Sequence, residues 1–418
     1  MKVCIINPRT LHSIGESRPI YIVNSIYNSG HQVDMHALTP VDDNTSLYSV
    51  EAFEPGINQH LTPFSLQPRF LKNPVLRFVS NNLQISIDQL PEPLAAISLG
   101  FLKAAENDIK RSDIVFIENP GIIGLIITLF VRFYRKPIIL DAQGSITFSC
   151  IRSFKNSKLI WKMINIVRLM FTWLVEKLMY TFSSTIIICD EDEKDFIVNT
   201  LNISPNKIKV VPNGVDCDLF YPRQTSKRMI REKYGLSDND FVILFVGNLK
   251  GLVNYNAVKY IEENLKPYLL ELDDTCRFVI VGPYPLDFPY ISDDYIQYVG
   301  QIKHLSHDED DVMDFINAAD ICISPVTMGG GTKIKVLEYL ACGKVVVSTP
   351  ESAYGIQIED GQNILISNLE DFLNTILSLK TNGDKIEEIG KNARVLIKEK
   401  YDWKTIVQNV NQVLLNLI

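Results

Sequence analysis

The sequence predicts an α/β protein of two doubly wound, Rossmann-like parallel-sheet domains facing across a cleft. Short apolar, β-branched runs alternate with helical spacings along the chain, as in parallel sheets covered on both faces. The alternation restarts near the middle. A length of 418 residues also exceeds what one hydrophobic core fills, so two domains of roughly 200 residues are the natural division.

The first series opens with Val3–Asn7 as a strand. A helix follows, with Ser17 as its N-cap and Pro19 in its first turn. Ile20, Val23 and Ile26 fall on one face, and Gly30 stops it. Gln32–Ala37 resumes as a strand, and Asp113–Ile117, Pro137–Leu140, Thr185–Ile188 and Ile208–Val211 continue the set. The second series comprises Phe241–Val246, Phe278–Val281, Ile296–Val299, Ile321–Ser324 and Val345–Ser348. Residues 38–95, rich in Pro and Asn, receive no assignment. The boundary falls within 205–222, where Pro212-Asn213-Gly214 makes a turn. The expected domains are 1–208 and 209–397, with a last helix over 398–418.

Composition excludes several classes. An apolar fraction of 46% supplies two cores and rules out disorder. Lys plus Arg total 41 against 49 Asp plus Glu, a formal charge of −8, whereas a nucleic-acid binder needs a basic face. The 7 cysteines are scattered singles without a CxxC pair, which argues against a disulfide scaffold or structural zinc. That usage fits a reducing, cytoplasmic compartment. Met1-Lys2 leads straight into a strand, with nothing like a signal peptide.

The longest apolar run, Gly121 to Val131, falls short of the ~20 residues that cross a bilayer, and a buried helix is expected there. Lys158–Tyr180 mixes Lys158, Lys162, Arg168 and Lys177 with Trp161, Met163, Met170, Phe171 and Trp173. That pattern fits an amphipathic helix lying on an anionic membrane, and equally a surface helix with long cationic side chains. From Lys103 to Lys177 basic residues outnumber acidic ones, which favours peripheral contact with an anionic membrane at its inner face.

In open parallel sheets, ligands bind outside the carboxyl ends of the strands. The most informative loop there is Met328-Gly329-Gly330-Gly331-Thr332-Lys333-Ile334-Lys335-Val336-Leu337-Glu338, which follows Ile321–Ser324 and opens a helix ending at Gly343. Three glycines permit close backbone approach, and the amides of a helix start favour an anion such as a diphosphate. Lys335 and Glu338, spaced i,i+3, suit a phosphate and ribose hydroxyls respectively, with Ile334, Leu337 and Ala341 as the buried stripe. The plainer alternative is a glycine-rich turn with an i,i+3 salt bridge.

With its neighbours the stretch is more specific. Ala318-Ala319-Asp320-Ile321-Cys322-Ile323-Ser324-Pro325, the glycine loop, Leu337-Glu338-Tyr339-Leu340-Ala341-Cys342-Gly343-Lys344-Val345-Val346 and Ser348-Thr349-Pro350 together resemble glycosyltransferase family 4, the group 1 enzymes. Gly30-His31-Gln32-Val33 is similar to that family's GHxV, Val211-Pro212-Asn213-Gly214-Val215-Asp216 to its inter-domain PNGVD, and Phe245-Val246-Gly247 to the start of its donor domain. Tyr401-Asp402-Trp403 is similar to its closing helix, which crosses back onto the first domain.

The resemblance implies a GT-B fold, with 1–208 binding acceptor and 209–397 binding a nucleotide-sugar. It implies retaining transfer without metal or cofactor, in which the departing diphosphate is stabilised. The implied donor-side residues are Gly247, Asn248, Lys250, Gly329, Gly330, Gly331, Thr332, Lys335 and Glu338, with Gly15 and Gln143 on the acceptor side and Gln143, Lys335 and Glu338 nearest the chemistry. The implied acceptor is a glycan, lipid-linked saccharide or glycolipid. Glu338 matches the second glutamate of the family's E-x7-E motif. The first glutamate is replaced by Gly330, the arginine of G-R-L…K-G by Asn248, and a common first-domain histidine by Gln143, which hydrogen-bonds but is no base. Those departures support the alternative of a non-catalytic subunit of the same fold.

Other clusters read more simply. Asp216-Cys217-Asp218 has a metal-binding DxD form but sits in a turn. His304 and His307 beside Asp308, Glu309 and Asp310 form a charged loop without a suitably spaced further ligand, and Asp190–Glu193 caps a helix.

Overall fold

The structure, a computed structural model, describes residues 1–10, 17–40, 53–64, 99–118, 121–154, 159–272, 275–302, 311–328 and 331–415. It divides into two units, Met1–Pro212 with Val407–Ile418, and Asn213–Ile406.

In the first unit β1 (Lys2–Thr10), β2 (Gln32–Pro40), β3 (Asn58–Phe64), β4 (Ile114–Glu118), β5 (Ile138–Asp141), β6 (Thr185–Ile188) and β7 (Ile208–Val210) form one sheet. Their order is β3-β2-β1-β4-β5-β6-β7, and every pairing is parallel. Both faces are buried, because successive residues point to opposite sides. Cys4, Ile6, Val115, Ile117, Ile138 and Leu140 pack into one cluster, while Val3, Ile5, Ile114, Phe116 and Ile139 are buried on the other side. That two-sided burial is why the strands read as continuous apolar runs rather than alternating ones.

The helices of this unit are α1 (Ser17–Asn28), α2 (Leu99–Arg111), α3 (Ile122–Phe133), α4 (Ile146–Phe154), α5 (Leu159–Phe182) and α6 (Glu191–Leu201). α3 corrects the expectation of a buried helix. It covers the core with Leu125, Ile127, Thr128 and Val131, but Ile122, Leu129 and Phe133 are exposed, Phe133 by 80%. A helix laid on a sheet buries only one stripe, so an all-round apolar sequence leaves an apolar outer face. β3 lies in the stretch that received no assignment. Polar residues and Pro63 disguise it, and only its edge position tolerates the proline.

The second unit carries β8 (Phe241–Val246), β9 (Cys276–Val281), β10 (Ile296–Gly300), β11 (Ile321–Ser324), β12 (Val345–Ser348) and the two-residue β13 (Leu365–Ile366). Their parallel order is β10-β9-β8-β11-β12-β13. Again the two faces bury alternate residues: Val242, Leu244, Cys322 and Val346 on one, Ile243, Phe245, Ile323 and Val347 on the other. The helices are α7 (Gln224–Lys233), α8 (Leu252–Tyr260), α9 (Lys266–Leu272), α10 (Val312–Ala318), α11 (Ile334–Ala341), α12 (Phe372–Lys380), α13 (Gly383–Lys400) and α14 (Trp403–Leu415). The start of α14 belongs to this unit, with the Trp403 amide donating to Val215 O at 3.2 Å. Its later residues belong to the first unit, where Asn411 donates to Ser25 Oγ of α1 at 3.0 Å.

Candidate functional site

In each sheet the strand order reverses at one point, between β1 and β4 and between β8 and β11. The loops that leave such neighbouring strands in opposite directions open a crevice at their carboxyl ends. In the second unit those loops are 247–251, after β8, and the glycine loop after β11. The two glycine-bearing motifs therefore meet at the switch point of one sheet.

Lys335, in the first turn of α11, is the centre of that meeting. Its ammonium lies 4.2 Å from the centroid of the Phe245 ring and donates to Asn254 Oδ1 at 2.6 Å. Asn254, on α8, donates in turn to Asn248 O at 3.0 Å. Gly247 makes room for the pair: a Cβ there would lie 2.8 Å from Asn254 Cγ and 2.8 Å from Lys335 Nζ. Burial, and then Lys333, push the Lys335 pKa down to about 7, while Glu338 pulls the other way. The lysine's hydrogen bond thus goes to a neutral carboxamide, not to the i,i+3 glutamate that the salt-bridge alternative requires. Among the described residues no carboxylate hydrogen-bonds to this ammonium.

Gly331 has φ +69°, a left-handed conformation that glycine adopts without strain. Thr332 Oγ1 is buried without a hydrogen-bond partner among the described residues. Glu338 is half-buried, one turn along α11 from Lys335. The remainder of α11 is more buried than the expected stripe: Val336, Leu337, Tyr339, Leu340 and Ala341 are all enclosed, and Tyr339 Oη accepts the Val246 amide at 2.6 Å. Asn248 and Lys250 are exposed, and Asn248 Oδ1 accepts the Lys250 amide at 3.0 Å. Gly329 and Gly330 lie outside the described residues. Asn254 escaped sequence reasoning, because an asparagine in a helix's first turn signals a cap before it signals a ligand holder.

At the corresponding end of the first sheet, Gln143 follows β5 in a left-handed conformation, φ +53°, and is half-buried. Its neighbour Asp141 takes a bidentate pair from the buried Arg18 of α1, at 2.8 and 2.9 Å. Arg18 also donates to Val211 O and Pro212 O, both at 3.0 Å, so one guanidinium ties α1 to β5 and to the segment after β7. Glu176 of α5 accepts from Ser145 Oγ at 2.9 Å and from the Ile146 and Thr147 amides at 2.6 and 3.2 Å, capping α4. Its burial raises the carboxyl pKa, against those hydrogen bonds. Gly15 lies outside the described residues.

The remaining sequence candidates separate from these sites. Asp216 Oδ1 accepts the Asp218 and Leu219 amides at 2.8 and 3.1 Å, and Asp218 pairs with Lys404, so both DxD carboxylates are engaged locally. Asp190 caps α6 through the Glu193 amide at 2.9 Å. His304, His307, Asp308, Glu309 and Asp310 lie outside the described residues. His36 of β2, His60 of β3 and Asp108 of α2 do cluster, but the imidazoles stack at 4.6 Å and 15°. Both Nε2 atoms approach Asp108 Oδ2, at 3.1 and 3.6 Å, and Lys2 approaches the same carboxylate at 3.7 Å. On α5, Lys177 is spent on Leu201 O and Asn202 O at the end of α6. Among the described side chains of that helix, Ile166, Met170, Phe171, Trp173 and Leu174 are exposed and apolar, and Thr181 is exposed and polar. Lys158, and the side chains of Trp161, Lys162, Met163 and Arg168, fall outside what is described.

The fold is that of a two-unit parallel α/β protein of the GT-B type, with Lys335 and the 247–251 loop together at the second sheet's switch point. The chain belongs to the group 1, family 4 glycosyltransferases: residues 21–219 match the model described as Glycosyltransferase Family 4, and residues 240–382 the one described as Glycosyl transferases group 1. It is similar to an Escherichia coli UDP-Gal:alpha-D-GlcNAc-diphosphoundecaprenol alpha-1,3-galactosyltransferase, 26% identical over 60% of this chain and 65% of that one. An uncharacterized glycosyltransferase of Methanocaldococcus jannaschii is 22% identical over 69% of this chain and 70% of its own length. Among solved structures, Anabaena HepE in complex with UDP has a TM-score of 0.68 at 14% identity, with both chains covered fully. WaaG, a glycosyltransferase involved in lipopolysaccharide biosynthesis, has 0.64 at 13%, covering 98% of each chain.

Proposed function

We propose that the protein transfers a sugar, with retention of anomeric configuration and without a metal, from a nucleoside-diphosphate donor to a glycan, lipid-linked saccharide or glycolipid. The observation that carries this reading is the Lys335 ammonium, held by Asn254 above the 247–251 loop beside a glycine-rich helix start. In the reaction the bond from the anomeric carbon to the diphosphate oxygen breaks, and the acceptor oxygen bonds to the same face of that carbon. The acceptor's proton leaves with the diphosphate. Lys335 and the amides at the start of α11 stabilise the charge that develops on the leaving group. Glu338 holds the ribose, Thr332 and the loop glycines contact the phosphates, and Asn248 and Lys250 border them. Gln143 serves the acceptor side, to which the family resemblance also assigns Gly15. The lipid-linked acceptor is supported by the E. coli relative, and the donor class by the HepE complex with UDP.

No helix among the described residues is long and apolar enough to cross a membrane. The apolar outer faces of α3 and α5 supply instead a surface for peripheral contact with the inner membrane leaflet, where a lipid-linked acceptor resides.

A screen of nucleotide-sugars by thermal shift identifies the donor, because a ligand at about 100 times its Kd adds ~2.7 kcal/mol of stability. With that donor, turnover is expected to persist in EDTA; loss in EDTA with rescue by manganese would refute metal independence. Gly330, Asn248 and Gln143 favour a second reading, a subunit that binds donor without turning it over. Stabilisation by a donor that is never consumed, with any acceptor or with water, would select it.

A further inference from the structure

We infer that Asn254 is a positioning residue of the donor site: its carboxamide holds the Lys335 ammonium in place over the 247–251 loop, where the donor's diphosphate binds. This rests on the donor site proposed above. Asn254 bridges two elements, accepting from Lys335 Nζ of α11 at 2.6 Å and donating to Asn248 O of the loop at 3.0 Å. A side chain on Gly247 would collide with the Asn254 carboxamide and the Lys335 ammonium, so the loop is shaped around them. Among the described residues, Lys335 has no carboxylate as its hydrogen-bond partner. The groups that set its charge are the Phe245 face from β8, the Asn254 carbonyl oxygen from α8, Lys333 before its own helix and Glu338 within it. The ring and the carbonyl oxygen both favour the ammonium, and burial and Lys333 oppose it.

A lysine in that balance is half-protonated near neutrality, since its pKa is lowered to about 7. A diphosphate beside it restores the charge, so donor binding takes up a proton above that pH. Asn254 sets where this happens. Removing its carbonyl removes an acceptor for the charged form and lowers the midpoint; a carboxylate in its place raises the midpoint but competes with the diphosphate for the ammonium.

The test is calorimetry with UDP between pH 6 and 9, in buffers of different ionisation enthalpy so that proton uptake is read directly. Between pH 7 and 8 UDP itself changes charge little, its last phosphate ionisation lying near 6 and its uracil N3–H ionising only at higher pH. Wild type is expected to bind UDP more weakly as pH rises above about 7, with uptake of a proton. Asn254→Ala should lose roughly tenfold in affinity at pH 7 and shift the midpoint downwards. Asn254→Asp should shift it upwards while also binding more weakly. Asn254→Gln, which keeps the carboxamide, replaces the alanine variant if that one melts at room temperature, and should move the midpoint less than Asp. Midpoints and affinity that stay at wild-type values in the Ala and Asp variants, while Lys335→Ala still weakens UDP, would overturn the role of Asn254 alone. If Lys335→Ala leaves UDP binding unchanged, the donor site itself is misplaced. A merely structural asparagine would lower melting temperature and leave proton uptake untouched.

Discussion

At the scale of single residues, the two polar side chains of α11 should fail differently. On the proposed donor site, Glu338→Ala would remove an acceptor for ribose hydroxyls, and an unpaired buried polar group costs about 1–3 kcal/mol. Donor affinity is expected to fall roughly ten- to a hundredfold, read by calorimetry, with melting temperature near wild type. Lys335→Ala should instead depress kcat more strongly than KM, because it withdraws charge stabilisation from the departing diphosphate. If Glu338→Ala binds donor normally, the ribose is held elsewhere. Arg18 belongs to a different class of residue. It is buried and bidentate with Asp141, and Arg18→Ala strands a buried carboxylate. A loss of about 3–5 kcal/mol is expected in urea unfolding of the first unit. A loss below 1 kcal/mol would mean that Asp141 regains water on mutation. The sequence pointed to Lys335 and Glu338 because a glycine run before a helix is a local signal. Arg18 and Asn254 carried none, since their partners lie 123 and 81 residues away in the chain.

At the scale of elements, α3 and α5 are the exception to one-sided amphipathicity. They pack against one another, and each leaves large apolar side chains outward: Phe133 on α3, with Met170 and Phe171 on α5. A soluble surface helix gains nothing from such residues, whereas a lipid interface would bury them. Phe133→Asp with Phe171→Asp is therefore expected to abolish co-sedimentation with anionic vesicles while leaving the melting temperature unchanged. Wild-type binding should weaken with added salt where neighbouring basic residues contribute. Equal sedimentation of wild type and the double variant would leave the face without a lipid role. Lys177 illustrates why the basic pattern alone misleads: in sequence it belongs to the cationic face, but its ammonium is committed to the carbonyls that end α6.

At the scale of the molecule, two sheets with the same kind of switch point carry different chemistry at their carboxyl ends. The first presents Gln143 beside an Arg18–Asp141 pair; the second presents a lysine and a glycine loop. On the proposed function, the first would orient an acceptor and the second stabilise a leaving diphosphate. The expected outcome is a product whose new linkage keeps the donor's anomeric configuration, read from its anomeric proton coupling by NMR. An inverted product would remove the retaining mechanism while leaving the donor site intact.

The strands other than β3 and β13, the two-domain α/β class and the glycine loop were legible in the sequence. Continuous apolar runs follow from burial on both faces of a parallel sheet, and a helix start after a strand is legible within a dozen residues. It could not reach β3, whose Pro63 and polar residues are tolerated only at an edge, nor the outer face of α3, because an apolar run does not say which side meets the core. The tertiary fold alone settles that Lys335 is held by Asn254 rather than by Glu338, that Arg18 joins β5 to residues 211 and 212, and that Gly247, after β8, lies against Lys335 of α11. Each depends on strand order. Parallel strands place neighbours far apart in sequence side by side in space, and no local pattern encodes that adjacency.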